Sequence, residues 1–141
     1  PDDGGAERQI RDLLSAEGTR SQYETGVGTP ESLNPDAWTL DQHFLDMPGR
    51  AEAQVALAFD YHSNLALYGE WQRWLRTAQP PTLVVWGGRD PFFSVNGAMA
   101  YLDDVPDAEV HVFPTGHFAL EEHLAEIAPL VASFVDRVAA T

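Results

Sequence analysis

Apolar residues recur at helical spacing over roughly the first half of the chain and then condense into two short strand-like runs. Residues 6–16 carry Ile10, Leu13 and Leu14 on one side, which predicts a short amphipathic helix stopped by Gly18. Residues 19–35 are polar and rich in Gly, Ser, Thr and Pro, so loop is expected there with at most a turn of helix. Asn34-Pro35-Asp36 then opens a helix through Trp38, Leu40, His43 and Phe44, which ends near Met47-Pro48-Gly49. A longer helix follows through Val55, Ala58, Phe59, His62 and Leu65 to about Leu67, and a further one covers residues 70–77 with Trp71, Trp74 and Leu75 on one side. Gly69 and Gln79-Pro80-Pro81 are the expected breaks. Residues 1–5 read as a flexible end.

The pattern changes after the double proline. Leu83-Val84-Val85-Trp86 is continuously apolar and closed by Gly87-Gly88, which predicts a parallel strand buried on both faces. The run from Glu109 to Phe113 alternates instead and ends in Pro114-Thr115-Gly116, as a strand nearer the sheet edge does, with Val110 and Val112 on its better-buried face. Between them, Ala98, Met99, Tyr101 and Leu102 suit a short helix over residues 96–104. A strand-helix-strand connection of this length makes the two strands parallel. Leu124, Ile127, Val131, Phe134 and Val138 fall at steps of three and four, giving a final helix with one apolar face and with Asp136 and Arg137 on its wet side. Pro129 is tolerable there if the regular helix starts near Ala125, because a first-turn residue has no intrahelical N–H bond to lose.

This topology brings two chemically complementary residues together. Asp90 lies four residues beyond Trp86 and His117 four beyond Phe113, so both leave the carboxyl ends of adjacent parallel strands, about 4.8 Å apart. Open α/β sheets place their ligands at that edge. A carboxylate on one imidazole nitrogen fixes the tautomer and stabilises the imidazolium, which leaves the other nitrogen free as a general base.

The segments VVWGGRDPFF and FPTGHFALEEH resemble the last two strands of an α/β-hydrolase. Trp-Gly before the acid, two aromatics after it and Gly-His-Phe at the base are most similar to the capped subgroup of epoxide hydrolases, haloalkane dehalogenases and related esterases. The resemblance implies an α/β fold, with Asp90 as the triad acid after the seventh strand and His117 as the triad histidine after the eighth. It also implies a helical cap-like region with its return to the core in residues 1–78, and the C-terminal strand-helix-strand-helix part of the core in residues 79–141. In that family the nucleophile precedes both in a small-x-nucleophile-x-small elbow. None of Ser15, Ser21, Ser32, Ser63, Ser94 and Ser133 sits in such an elbow, Phe92 occupies a small position in the one around Asp90, and there is no cysteine. With the first six strands and the oxyanion-hole segment also absent, and with Pro1 rather than methionine at the start, the chain reads as the C-terminal portion of a longer hydrolase.

Composition narrows the partners. At 141 residues with 44% hydrophobic content the chain suits one domain, but a net charge of −14, with eight arginines and no lysine, argues against nucleic acid and anionic membranes. No apolar run approaches the roughly 20 residues of a membrane span, and the lack of cysteine permits a cytoplasmic location. Phe92, Phe93 and Phe118 flank the acid and base and are candidates for the apolar wall of a substrate pocket. Glu121, Glu122 and His123 resemble a metal cluster only superficially, since adjacent helical residues point apart; no metal or organic cofactor is expected. His111 and His123 read as surface or packing residues, and His43 and His62, with Tyr23, Tyr61, Tyr68, Trp38 and Trp71, belong to the cap-like region. The expected activity is hydrolysis of a small apolar ester- or epoxide-like substrate. A serine nucleophile would give an acyl-enzyme, whereas an aspartate would give an alkyl-enzyme ester hydrolysed by water that His117 activates. The alternative is a non-catalytic fragment: Leu83 to Trp86 would present an unpaired edge, to be covered by the missing N-terminal half or by a second copy of the chain.

Overall fold

The computed structural model describes residues 4–140, and the expectations for residues 1–3 lie outside them. The chain forms two compact units. One contains the residues through Glu24 together with Asn34–Tyr68, and the other contains Thr25–Leu33 and Gly69 onward. This division by packing falls inside a helix and assigns 25–33 to the second unit, so it differs from the boundary after residue 78 drawn by resemblance.

The first unit is helical: α1 (Gly5–Leu13), α2 (Ala16–Glu24), α3 (Asp36–Leu45), α4 (Arg50–Asp60) and the first turns of α5 (His62–Ala78). α2 replaces the loop expected after Gly18. A Cβ at Gly18 would overlap the Asp12 carbonyl oxygen and the Leu13 backbone, so this glycine does not stop a helix; it lets α2 start tightly against the end of α1. The polar residues of α2 also find partners. Buried Thr19 and Tyr23 stack one turn apart, and their hydroxyls donate to Gln42 Oε1 at 2.7 Å and Asp41 Oδ2 at 2.6 Å on α3. These hydrogen bonds offset the cost of taking the two hydroxyls out of water, so their burial does not disfavour the helix. Gly69 likewise fails to break the chain: α5 runs through it, and the break falls at Tyr61.

The second unit holds a 3-10 turn (Pro30–Ser32), the rest of α5, β1 (Leu83–Gly87), α6 (Val95–Met99), α7 (Tyr101–Asp104), β2 (Glu109–Phe113) and α8 (Ala119–Ala139). The strands are parallel with Leu83 opposite Glu109 and Gly87 opposite Phe113. Val84, Ala98, Val105 and Ile127 are the buried apolar centre where α6 and α8 pack on β1. Arg76 pairs with buried Asp104, and Gln79, in the left-handed region at φ 45°, donates to the Asp104 carbonyl at 2.8 Å, which fixes the end of α5.

Three expectations about burial are overturned. In β1 only Val84 and Gly87 are buried, because among the described residues the sheet has two strands and its other face is not fully covered. Val112 is exposed for the same reason. On α8, Leu124 is 59% exposed and Val131 and Val138 are also exposed, while Ile127 is buried and Leu130 and Phe134 are half-buried. The buried stripe is therefore shifted around the helix. His123 has non-helical backbone angles (φ −126°, ψ 34°), so the regular helix resumes at Leu124 and Pro129 lies just beyond its first turn, with no N–H to offer the Ala125 carbonyl.

Candidate active site

The loops after β1 and β2 continue the sheet's pairing past the strands. Gly88 N–H donates to the Phe113 carbonyl at 2.7 Å and Arg89 N–H to the Thr115 carbonyl at 2.9 Å. Gly87 allows this approach, since a Cβ there would overlap the Gly116 carbonyl oxygen. Backbone bonds thus set the spacing of the two loop ends before any side chain acts.

Asp90 and His117 meet at those ends, with His117 Nδ1 2.9 Å from Asp90 Oδ2. The second carboxylate oxygen accepts the backbone N–H groups of Phe92 (2.8 Å) and Phe93 (3.1 Å), the turn that Asp before Pro91 favours. The Asp90 side chain is 6% exposed and the His117 side chain 26%. Burial alone would raise the Asp90 pKa. The hydrogen bond from His117, the two backbone N–H groups and the imidazole charge outweigh it and hold the carboxyl below its ordinary 3.8. Asp90 is therefore an ionised, acceptor-only group at neutral pH, so the hydrogen between the two sits on His117 Nδ1, and in the neutral form of the ring it is Nε2 that carries the lone pair.

Aromatic rings enclose the imidazole. Phe118 lies 4.9 Å away, Phe92 5.1 Å and Phe93 5.6 Å, centroid to centroid. Phe92 and Phe93 remain exposed, and Trp86 fixes the latter by donating its indole N–H to the Phe93 carbonyl at 3.1 Å. The five residues singled out in sequence thus form one cluster. Of the other candidates, His43 and His62 belong to the first unit, where His62 Nδ1 donates to the Phe59 carbonyl at 2.6 Å and the Tyr61 and Tyr68 hydroxyls pair with each other. His123 packs edge-on against Phe113 at 5.7 Å. Among the described residues no group of three His, Asp or Glu side chains is placed to hold a metal, and no helix is long and apolar enough to cross a membrane.

Sequence reasoning missed one group. Glu122 Oε1 accepts the Gly116 N–H at 2.8 Å, and its Oε2 lies 3.3 Å from the Gly28 N–H. Its place in the first turn of the helix that follows the histidine was visible; its backbone partners were not.

The α/β-hydrolase fold family matches residues 6–124. The chain is 45% identical over 112 residues to an uncharacterized hydrolase of Saccharomyces cerevisiae, covering 79% of this chain and 39% of that protein. It is 39% identical over 127 residues to a 2-hydroxy-6-oxononadienedioate/2-hydroxy-6-oxononatrienedioate hydrolase of a Pseudomonas species, covering 87% and 43%. In structure it is similar to a serine hydrolase involved in carbazole degradation, with a TM-score of 0.58, 21% identity and coverage of 87% and 48%. The chain spans about two fifths of the length of those curated relatives. With a parallel strand pair carrying an aspartate and a histidine at its carboxyl edge, and a family match over most of its length, the chain belongs to the α/β-hydrolase fold family.

Proposed function

We propose that the chain supplies the acid and the base of a hydrolase triad, Asp90 and His117, to a nucleophile carried outside these 141 residues. The observation that carries this reading is the 2.9 Å bond from His117 Nδ1 to a buried, ionised carboxylate. It leaves Nε2 as a base that can take a proton from a serine hydroxyl or from a water attacking an alkyl-enzyme ester, and Asp90 stabilises the imidazolium that results. The rings of Phe92, Phe93 and Phe118 around that base favour a small, apolar, neutral ester- or epoxide-like substrate. No step of this scheme calls on a metal or organic cofactor. In this reading residues 1–78 serve as a cap-like region and residues 79–141 as part of the core.

The test uses the complete hydrolase, with the preceding half present, against panels of aryl esters and epoxides. His117→Ala should reduce kcat by about 10²–10⁴-fold, the usual worth of a positioned base. Asp90→Asn should cost a comparable factor: the amide can satisfy the Phe92 and Phe93 N–H groups, but it turns an N–H toward Nδ1 and forces the unproductive tautomer. Undiminished turnover in both variants would remove the assignment. Whether esters or epoxides are consumed separates a serine from an aspartate nucleophile.

A second reading rests on the open side of β1. Among the described residues its only strand neighbour is β2, so the chain could act by pairing with a complementary chain or a second copy without catalysis. Assembly unaffected by both substitutions, with no turnover by the complete protein, would favour it.

A further inference from the structure

We propose that Glu122 is a positioning residue for His117, tying the histidine loop to the 25–28 segment; the inference rests on the triad reading. The first observation is the pair of bonds its carboxylate makes, to the N–H of Gly116, directly before His117, and to the N–H of Gly28. Gly116 is buried, and its neighbour Thr115 is already satisfied through the Phe113 carbonyl at 2.8 Å. The Gly116 N–H is thus anchored by a side chain, and a carboxylate acceptor makes that bond about twice as strong as a neutral one.

The second observation is the course of residues 25–28 across both loops of the site. Gly26, at φ +87°, packs so closely on the Arg89 carbonyl that a Cβ would overlap it, and the Thr25 carbonyl lies equally close against Gly116. The segment therefore touches the residue before Asp90 and the residue before His117. Glu122 is the side chain that pins it to the second of these. The third is the backbone of α8: the break at His123 ends its first turn immediately after Glu122, which lets that carboxylate turn back under the loop.

Removing the tie leaves a buried N–H without a partner and frees the histidine loop to drift. A displacement of about 1 Å at a reacting group can cost up to 100-fold in rate. In the complete hydrolase, Glu122→Gln retains an acceptor for Gly116 but loses the charge and the Gly28 bond, so kcat should fall about 10-fold with KM unchanged. Glu122→Ala loses both, and kcat should fall about 100-fold.

Two NMR readouts need no turnover. The Gly116 amide proton should lie at low field in the native protein and move upfield in Glu122→Gln, and the His117 ring nitrogens should change from one Nδ1–H tautomer to a mixture in Glu122→Ala. If Ala does not fold, the near-isosteric Gln variant decides the matter by the amide shift and kcat. An unmoved Gly116 amide, or lower thermal stability with kcat per folded molecule and the tautomer unchanged, would overturn the proposal. The spectroscopic outcome stands whatever the His117→Ala kinetics say of the triad, so the two can fail separately.

Discussion

Both oxygens of Asp90 are occupied, one by an imidazole and the other by two peptide N–H groups, and all three donors prefer it ionised. Its folded pKa lies below 3.8 despite the opposing effect of burial. A depressed carboxylate pKa stabilises the fold fully above the unfolded value, and that contribution fades as the pH falls through the lower folded value. Denaturant titrations of the native chain and of Asp90→Asn should therefore show a stability difference that is constant above about pH 5 and shrinks below about pH 4. A difference that does not change with pH would mean that the carboxylate is not preferentially bound in its charged form. Asp90, His117 and the three phenylalanines were legible because strand length and the count of residues beyond each strand place them. Glu122 was not, because what it binds is peptide N–H, which every residue but proline carries, including one 94 positions away in the chain.

Strands were easier to read than helices for a comparable reason. The apolar run before Gly87-Gly88 and the alternation before Pro114 bound β1 and β2 almost to the residue, and parallel pairing follows from the length of the crossover. Glycine as punctuation held at Gly49, which caps the start of α4, but it misplaced helix ends at Gly18 and Gly69. Gly18 lies inside α2 because of what it touches, and Gly69 lies inside α5 with open surroundings, where a Cβ would meet nothing closer than the Arg73 guanidinium at 3.7 Å. The two should respond oppositely to alanine. Gly18→Ala forces a methyl into backbone and should destabilise by about 1–3 kcal/mol, whereas Gly69→Ala should stabilise by about 0.5–1 kcal/mol through helix propensity. Urea midpoints of the two variants check this, and a Gly18→Ala as stable as the native chain would contradict the close approach. The face of α8 was misassigned because its apolar residues outnumber the positions β1 can cover, so periodicity alone could not say which stripe is buried.

Leu120, Leu124, Val131, Val135 and Val138 form an exposed apolar stripe along α8, and among the described residues β1 pairs on one side only. Contiguous apolar surface of this kind normally marks a contact. Sedimentation of the isolated chain at micromolar concentration should show self-association, and a monodisperse monomer that unfolds cooperatively would contradict this. Within the second unit, the main-chain bonds from Gly88 and Arg89 to Phe113 and Thr115 hold the Asp90 and His117 loops in register. Substitutions at exposed crossover positions leave those bonds in place, whereas buried Ala98 packs α6 on the strands that carry them. The spacing of the Asp90–His117 pair is thus carried by peptide groups, which no substitution except one to proline removes.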